Sequence, residues 1–192
     1  FVFFLSLISL IPETFFSLRQ CLEIDSLRYA IALVNDPIKK SVYLACLTFA
    51  ISKAVNSSGH FAEYMDINSS GGKVNFSITR SESVMTHYLS KLREFSFAYK
   101  QDAWKNRVFN QDYRELIKRL SKSGDLSKVK LIYIDPPYTT AQYSRYYHIP
   151  ETLVKYDYPP ITLHPQSHNP VKGKDRTDIH QSEFSQIQGA EI

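Results

Sequence analysis

Cysteine is nearly missing from this chain: Cys21 and Cys46 are the two it has, far apart and each among apolar neighbours. That excludes a disulfide framework and a thiolate zinc site, and predicts buried free thiols in a reducing, cytoplasmic setting. Long apolar runs are missing too. Residues 1–11 form the one sustained stretch, but no basic leader or small-residue cleavage site accompanies it, and Pro12 stops it short of a bilayer span. A core strand or core helix is expected there, and no membrane partner. Charge of one sign is also weak, since a net +4 only means that an anionic partner is not repelled. His60 and His148 lack any Ser, Cys or metal-ligand pattern, so they read as structural, and no metal is expected. What remains is the composition of a globular protein, 43% hydrophobic and 22% charged over 192 residues, enough for one domain with a core. The chain starts at Phe1 and ends in Gly189-Ala190-Glu191-Ile192 without a closing element. Both ends read as cut, giving a single partial domain over 1–192.

Periodicity divides that domain into three portions. Over 1–100 it is mainly helical. Phe16, Leu18, Leu22, Ile24, Leu27, Ala30, Ile31 and Val34 recur at helical spacing until Asp36-Pro37 ends the run. Tyr43, Leu47, Ala50, Ile51 and Ala54 then lay one apolar stripe along a second helix, so the two should pack as a pair. From Asn56-Ser57-Ser58-Gly59 to Gly71-Gly72 the Ser, Asn and Gly content predicts a long loop, and Ser81-Glu82-Ser83 can open a third helix. Over 105–160 the pattern changes. Arg107-Val108-Phe109 and the run from Val129 to Ile134 read as strands, with a helix from Asp112 to Leu120 between them. Strand, helix, strand is a βαβ unit and implies a parallel sheet, hence an α/β fold. A helix follows near Glu151 to Tyr156, and residues 161–192 read as a loop-rich end.

In open parallel sheets, ligands bind beyond the carboxyl ends of the strands, where Asp135-Pro136-Pro137-Tyr138 falls. Pro136 and Pro137 fix the backbone and remove both N–H donors, leaving carbonyl oxygens beside a carboxylate. A planar amine can donate one hydrogen bond to Asp135 and another to the Pro136 carbonyl, while Tyr138 stacks on its ring. An exocyclic amine conjugated with its ring is a poor nucleophile. Two acceptors held out of the ring plane localise its lone pair toward an incoming methyl group, by positioning and preorganised electrostatics.

Ile134-Asp135-Pro136-Pro137-Tyr138 resembles the catalytic motif of the amino-methyltransferases. Gln142-Tyr143, Tyr147-His148 and Glu151-Thr152-Leu153 after it look like the DNA adenine-N6 branch, as do Val55-Asn56-Ser57-Ser58-Gly59-His60-Phe61 and Phe184-Ser185. The resemblance implies a class I, Rossmann-like α/β methyltransferase domain that uses S-adenosylmethionine to methylate N6 of adenine in DNA, with the base flipped out of the duplex. Its catalytic residues would be Asp135, Pro136, Pro137 and Tyr138. Asp112, in Asn110-Gln111-Asp112-Tyr113, occupies the place where such enzymes hold an acid near the cofactor adenosine; an acid in a first helical turn is also simple capping. The family's Phe-x-Gly-x-Gly loop is absent from the six glycines here, which implies either a fragment whose cofactor loop lies before Phe1 or a decayed enzyme. Two alternatives stay open, a noncatalytic nucleic-acid-binding remnant and methylation of RNA or protein amides. Lys105, Arg107, Arg114, Lys118, Arg119, Lys122, Lys128 and Lys130 suit a phosphate backbone or an ordinary solvated face. Tyr143, Tyr146 and Tyr147 suit a base channel or simple packing.

Overall fold

Local capping chemistry starts the first two helices. Ser17 precedes α1 (Leu18–Ala32); its hydroxyl accepts from the Gln20 amide, and the Gln20 side chain accepts from the Ser17 amide at 2.8 Å. This reciprocal pair satisfies two amides that a helix start otherwise leaves unpaired. Asp36 does the same for α2 (Pro37–Ala54), with one carboxylate oxygen accepting from the Ile38 and Lys39 amides at 2.9 and 3.1 Å. Pro37 sits in its first turn, where a missing N–H costs nothing. The computed structural model describes residues 15–66, 68–98, 106–135, 144–157 and 165–166.

The expected helical pair forms, and its two apolar stripes meet in one core. Cys21, Ile24, Leu27 and Ile31 of α1 are buried with Cys46, Leu47, Ala50, Ile51 and Ala54 of α2. The third expected helix is α4 (Val84–Ala98), which adds Val84 and Tyr88 to that core. Before it lies α3 (Ser70–Ser81), which the sequence reading did not anticipate. Its first residues, Ser70-Gly71-Gly72, belong to the stretch expected to be loop, and glycine is a poor helix former. Tertiary bonds hold the far end of α3 instead: the buried Gln20 amide donates to the Thr79 and Glu82 carbonyls at 2.6 and 3.0 Å. Glu23 caps α4 from outside, accepting from Ser83 Oγ at 3.1 Å and from the Met85 amide at 3.0 Å.

Residues 106–135 behave differently. Asp112 caps α5 (Tyr113–Lys122), and Ser123-Gly124, with Gly124 at φ +74°, leads into a 3₁₀ turn over Asp125–Lys128. The left-handed backbone at Gly124 is one that a side chain disfavours. The two expected strands do not form. Neither 107–109 nor 129–134 pairs with the other or with any described segment, so the predicted βαβ unit is absent among the described residues. The exposure shows why. Val108 is 96% exposed, Leu131 86% and Tyr133 84%, whereas a strand of consecutive apolar residues holds its place by being covered on both faces. Strand hydrogen bonds are nonlocal, and no described neighbour supplies them.

The last element, α6 (Ser144–Lys155), docks back on the helical core through Ile149 and Leu153, with His148 and Thr152 buried. It starts earlier than the helix expected at 151–156 and carries Pro150 inside it, one backbone donor fewer.

Candidate active site

Asp135 is exposed and is the last described residue of the run from Val129. Pro136, Pro137 and Tyr138 lie outside the described residues, as do Gln142 and Tyr143. The described residues continue at Ser144, so in sequence the expected catalytic tetrad follows a run that pairs with no described segment and precedes an anchored helix.

That anchor comes from Arg28, a buried arginine on the apolar stripe of α1. Its guanidinium donates to the Leu153 carbonyl at 2.7 Å and to the Val154 carbonyl at 3.3 Å, and lies 4.2 Å from the centre of the Tyr156 ring. A cation at the carbonyl end of a helix opposes the negative end of its dipole, and the aromatic face adds to the attraction. Tyr156 adopts φ +59°, the left-handed conformation that ends a helix. Sequence reading missed Arg28 in this role; its signal was a cation at a stripe position between Leu27 and Ile31.

At its other end α6 meets the loop that follows α2. The His60 ring packs edge-on against Tyr146 with centroids 4.7 Å apart. Buried Asn56 closes this loop, its side chain donating to the Met65 carbonyl at 3.1 Å and its amide to the Phe15 carbonyl at 2.8 Å. Phe61 is buried, Ser57 bridges Tyr64, and Ser57 Oγ accepts from the Gly59 amide. Gly59 takes φ +106°, which a side chain would strain. Ser58, Gly59 and His60 are thereby left exposed at the tip. Tyr146 is half-buried by this contact and Tyr147 is exposed.

The other predicted residues fall as follows. His148 donates from Nδ1 to the Arg145 carbonyl at 2.7 Å and packs beside Phe15, a structural histidine as expected. Asp112 is exposed, and its Oδ1 accepts from the Arg114 amide at 2.8 Å, which is the capping geometry. No side-chain contact joins Asp112 to Asp135 among the described residues. In the basic stretch, Arg107 pairs with Asp125 at 3.1 Å and Lys118 with Glu115 at 2.8 Å, while Arg107 and Arg119 both stack on Phe109. These pairs are the arrangement of a solvated surface. Arg107, through its hydrogen bond, holds the Asp125 carboxyl below its usual range.

The model of the D12 class N6 adenine-specific DNA methyltransferases matches residues 9–182. The chain belongs to that family. Among its relatives, the Modification methylase LlaI of Lactococcus lactis subsp. lactis is 31% identical over 148 residues, covering 74% of this chain and 21% of that protein. The Type II methyltransferase M.FokI of Planomicrobium okeanokoites is 27% identical over 153 residues, covering 77% of this chain and 20% of that protein. The chain thus spans about a fifth of the length of both relatives. No solved structure matches it.

Family membership implies the class I methyltransferase fold, of which the described residues hold the helical part. These residues form no cradle for a methyl-donor cofactor. Gly59, Gly71 and Gly124 open on empty space with no atom within 4 Å of an added Cβ, and Asp112 is engaged with its own helix. The described residues therefore do not fit around such a group. No cluster of His, Cys, Asp and Glu among them suits a metal ion, and none of their helices is long and apolar enough to cross a membrane.

Proposed function

We propose that this chain carries the target-base half of an S-adenosylmethionine-dependent enzyme that methylates the exocyclic N6 of adenine in DNA. The observation that carries the reading is Asp135-Pro136-Pro137-Tyr138 inside the region shared with the D12 family. S-adenosylmethionine supplies the methyl group in such a reaction. The described residues do not cradle it, and among them Asp112 serves as the cap of α5.

The chemistry assigned to this chain acts on the acceptor. Asp135 and the Pro136 carbonyl accept the two amine hydrogens, Pro137 stiffens the bend, and Tyr138 stacks on the flipped base, offsetting part of the cost of unstacking it. Pairing of the run 129–134 within a Rossmann-like sheet would present Asp135 at a strand end, where ligands bind in such folds. We take 1–192 as one partial domain in these roles. The names of both relatives, a modification methylase and a type II methyltransferase, favour a site-specific partner of a restriction system.

The test is transfer of label from S-[methyl-³H]adenosylmethionine to duplex DNA, with digestion to nucleosides. With the complete protein, N6-methyl-2′-deoxyadenosine is expected as the labelled product, and Asp135→Ala should abolish it while the thermal melt is unchanged. Label in RNA or protein, or full activity of the variant, would overturn the reading; DNA binding with no transfer would favour a noncatalytic remnant.

A further inference from the structure

The helix α1 is apolar on two faces. One carries Cys21, Ile24, Leu27 and Ile31 into the core; the other carries Leu18, Leu22, Tyr29 and, at the C-cap, Leu33, which are 56, 50, 52 and 65% exposed. At 3.6 residues per turn these four fall within an arc of about 60°. Single exposed apolar residues are ordinary on a protein surface, but four in one line along a helix mark a contact face.

The spacing tells which partner that face fits. Leu18 and Leu33, Leu22 and Tyr29, and at the centre Asp25 and Ser26, stand in pairs at equal distances from one midpoint. A face that reads the same from both ends fits its own copy running antiparallel, since a two-fold axis at the midpoint brings each residue level with its opposite number. Leu18 then lies level with Leu33 of the second copy, and Leu22 with Tyr29 of the second copy, apolar against apolar. Asp25 is the one charged residue on the face. It is half-buried, and no hydrogen bond or ion pair engages it among the described residues. Burial raises its carboxyl to about 7; Cys21, one turn earlier on α1, is its titratable neighbour. Beside the two-fold axis Asp25 meets its own copy, and two carboxyls held together share a proton rather than both ionise. Each half-exposed large side chain offers roughly 100 Å². The seam is therefore smaller than the about 800 Å² per partner of a standard interface, and a weak, micromolar dimer is expected.

We propose that the outward face of α1, Leu18, Leu22, Tyr29 and Leu33, is a self-association surface through which two copies of this chain pair antiparallel, with Asp25 and Ser26 at the two-fold axis. The pairing is independent of the reaction in which the chain takes part.

The experiment is sedimentation velocity of the full chain at about pH 8, from about 5 to about 300 µM, a range that brackets a weak interface. A shift from monomer to dimer is expected. Leu22→Glu sets a charge against Tyr29 of the second copy and should raise the dissociation constant more than about tenfold. Leu22 is half exposed, so the thermal melt of that variant should stay at the wild-type value. Asp25→Asn removes the facing charges and should tighten the dimer a few-fold. A short bismaleimide on added cysteines reads the register, the native Cys21 and Cys46 being buried. Ser26→Cys should cross-link to itself. Leu18→Cys should not, because the two copies of residue 18 stand about 22 Å apart along the helix axis, whereas Leu18→Cys mixed with Leu33→Cys should. A chain that stays monomeric throughout, or wild-type association in Leu22→Glu, would overturn the proposal. So would self-cross-linking of Leu18→Cys, or a lowered melt in Leu22→Glu, which would mean that the face is covered from within the chain.

Discussion

The helical core and the stretch 106–135 are built from similar residues and end in opposite states. In the core, α1, α2 and α4 bury Ile24, Ile31, Leu47, Ile51 and Val84 together, each at 4% exposure or less. In 106–135 no residue is buried, although Val129, Leu131, Ile132 and Ile134 are just as apolar. The difference lies in where each element finds its hydrogen bonds. A helix satisfies its backbone within itself, so capped segments need no paired neighbour before their stripes pack together. A strand needs a neighbour before any bond is made. In 106–135 the helix α5 therefore forms, capped by Asp112 and with Glu115 and Arg119 placed to suit its dipole, while the flanking runs pair with none of the described segments.

The largest effects should test that contrast directly. Leu47→Ala empties a site of 0% exposure and should cost about 3 kcal/mol in urea unfolding, whereas Ile132→Ala should cost less than about 0.5 kcal/mol. Equal costs would mean that the run 129–134 is packed in solution and that the contrast is false. Next in size, Arg28→Met should cost about 2 kcal/mol, since it removes charge-assisted bonds to two carbonyls. Hydrogen exchange should then speed up across 149–157 and leave α2 protected; uniform loosening would show that α6 is no separate dependent of Arg28. A smaller effect, about 1 kcal/mol, is expected for Asp112→Ala through loss of the α5 cap, visible as reduced helix signal.

The two regions should also differ in the sign of their pH dependence. Burial on α1 pushes the Asp25 carboxyl up from 3.8 to about 7. The folded state then holds this proton more tightly than the unfolded chain, so the contribution is fully present below about pH 4 and is lost as pH rises toward 7. Asp125, held low by Arg107, contributes in the opposite sense: its share is present above the ordinary carboxylate range and lost as pH falls through its lowered value. Thermal melts from pH 4 to 8 should show the falling trend flattened by Asp25→Asn. An unchanged trend in that variant would remove Asp25 as its source.

Much of the helical core was legible because its signals are local. The break at Asp36-Pro37 and the acid Asp112 could be read from their own chemistry, and the stripe Leu47, Ala50, Ile51, Ala54 declares a buried face by spacing alone. The helix α3 was not legible, because its glycine-rich opening argues against a helix and the Gln20 bonds that hold its end come from fifty-nine residues away. The candidate site divides the same way. Asp135-Pro136-Pro137-Tyr138 could be picked out as a string of residues, and Asp112 as an acid at a helix start. Arg28 and His60 could not, since each matters through a partner distant in sequence.

The sequence by itself determined the family, the Asp-Pro-Pro-Tyr motif on which the proposed acceptor chemistry rests, and the helices whose stripes are contained in short windows. Only the tertiary structure decided that α6 is clamped at its end by Arg28 and braced at its start by His60, and that 129–134 pairs with none of the described segments. The physical reason is range: caps and helical bonds close within four residues, while cross-chain carbonyl contacts, ring packing and strand ladders exist only once distant segments have met.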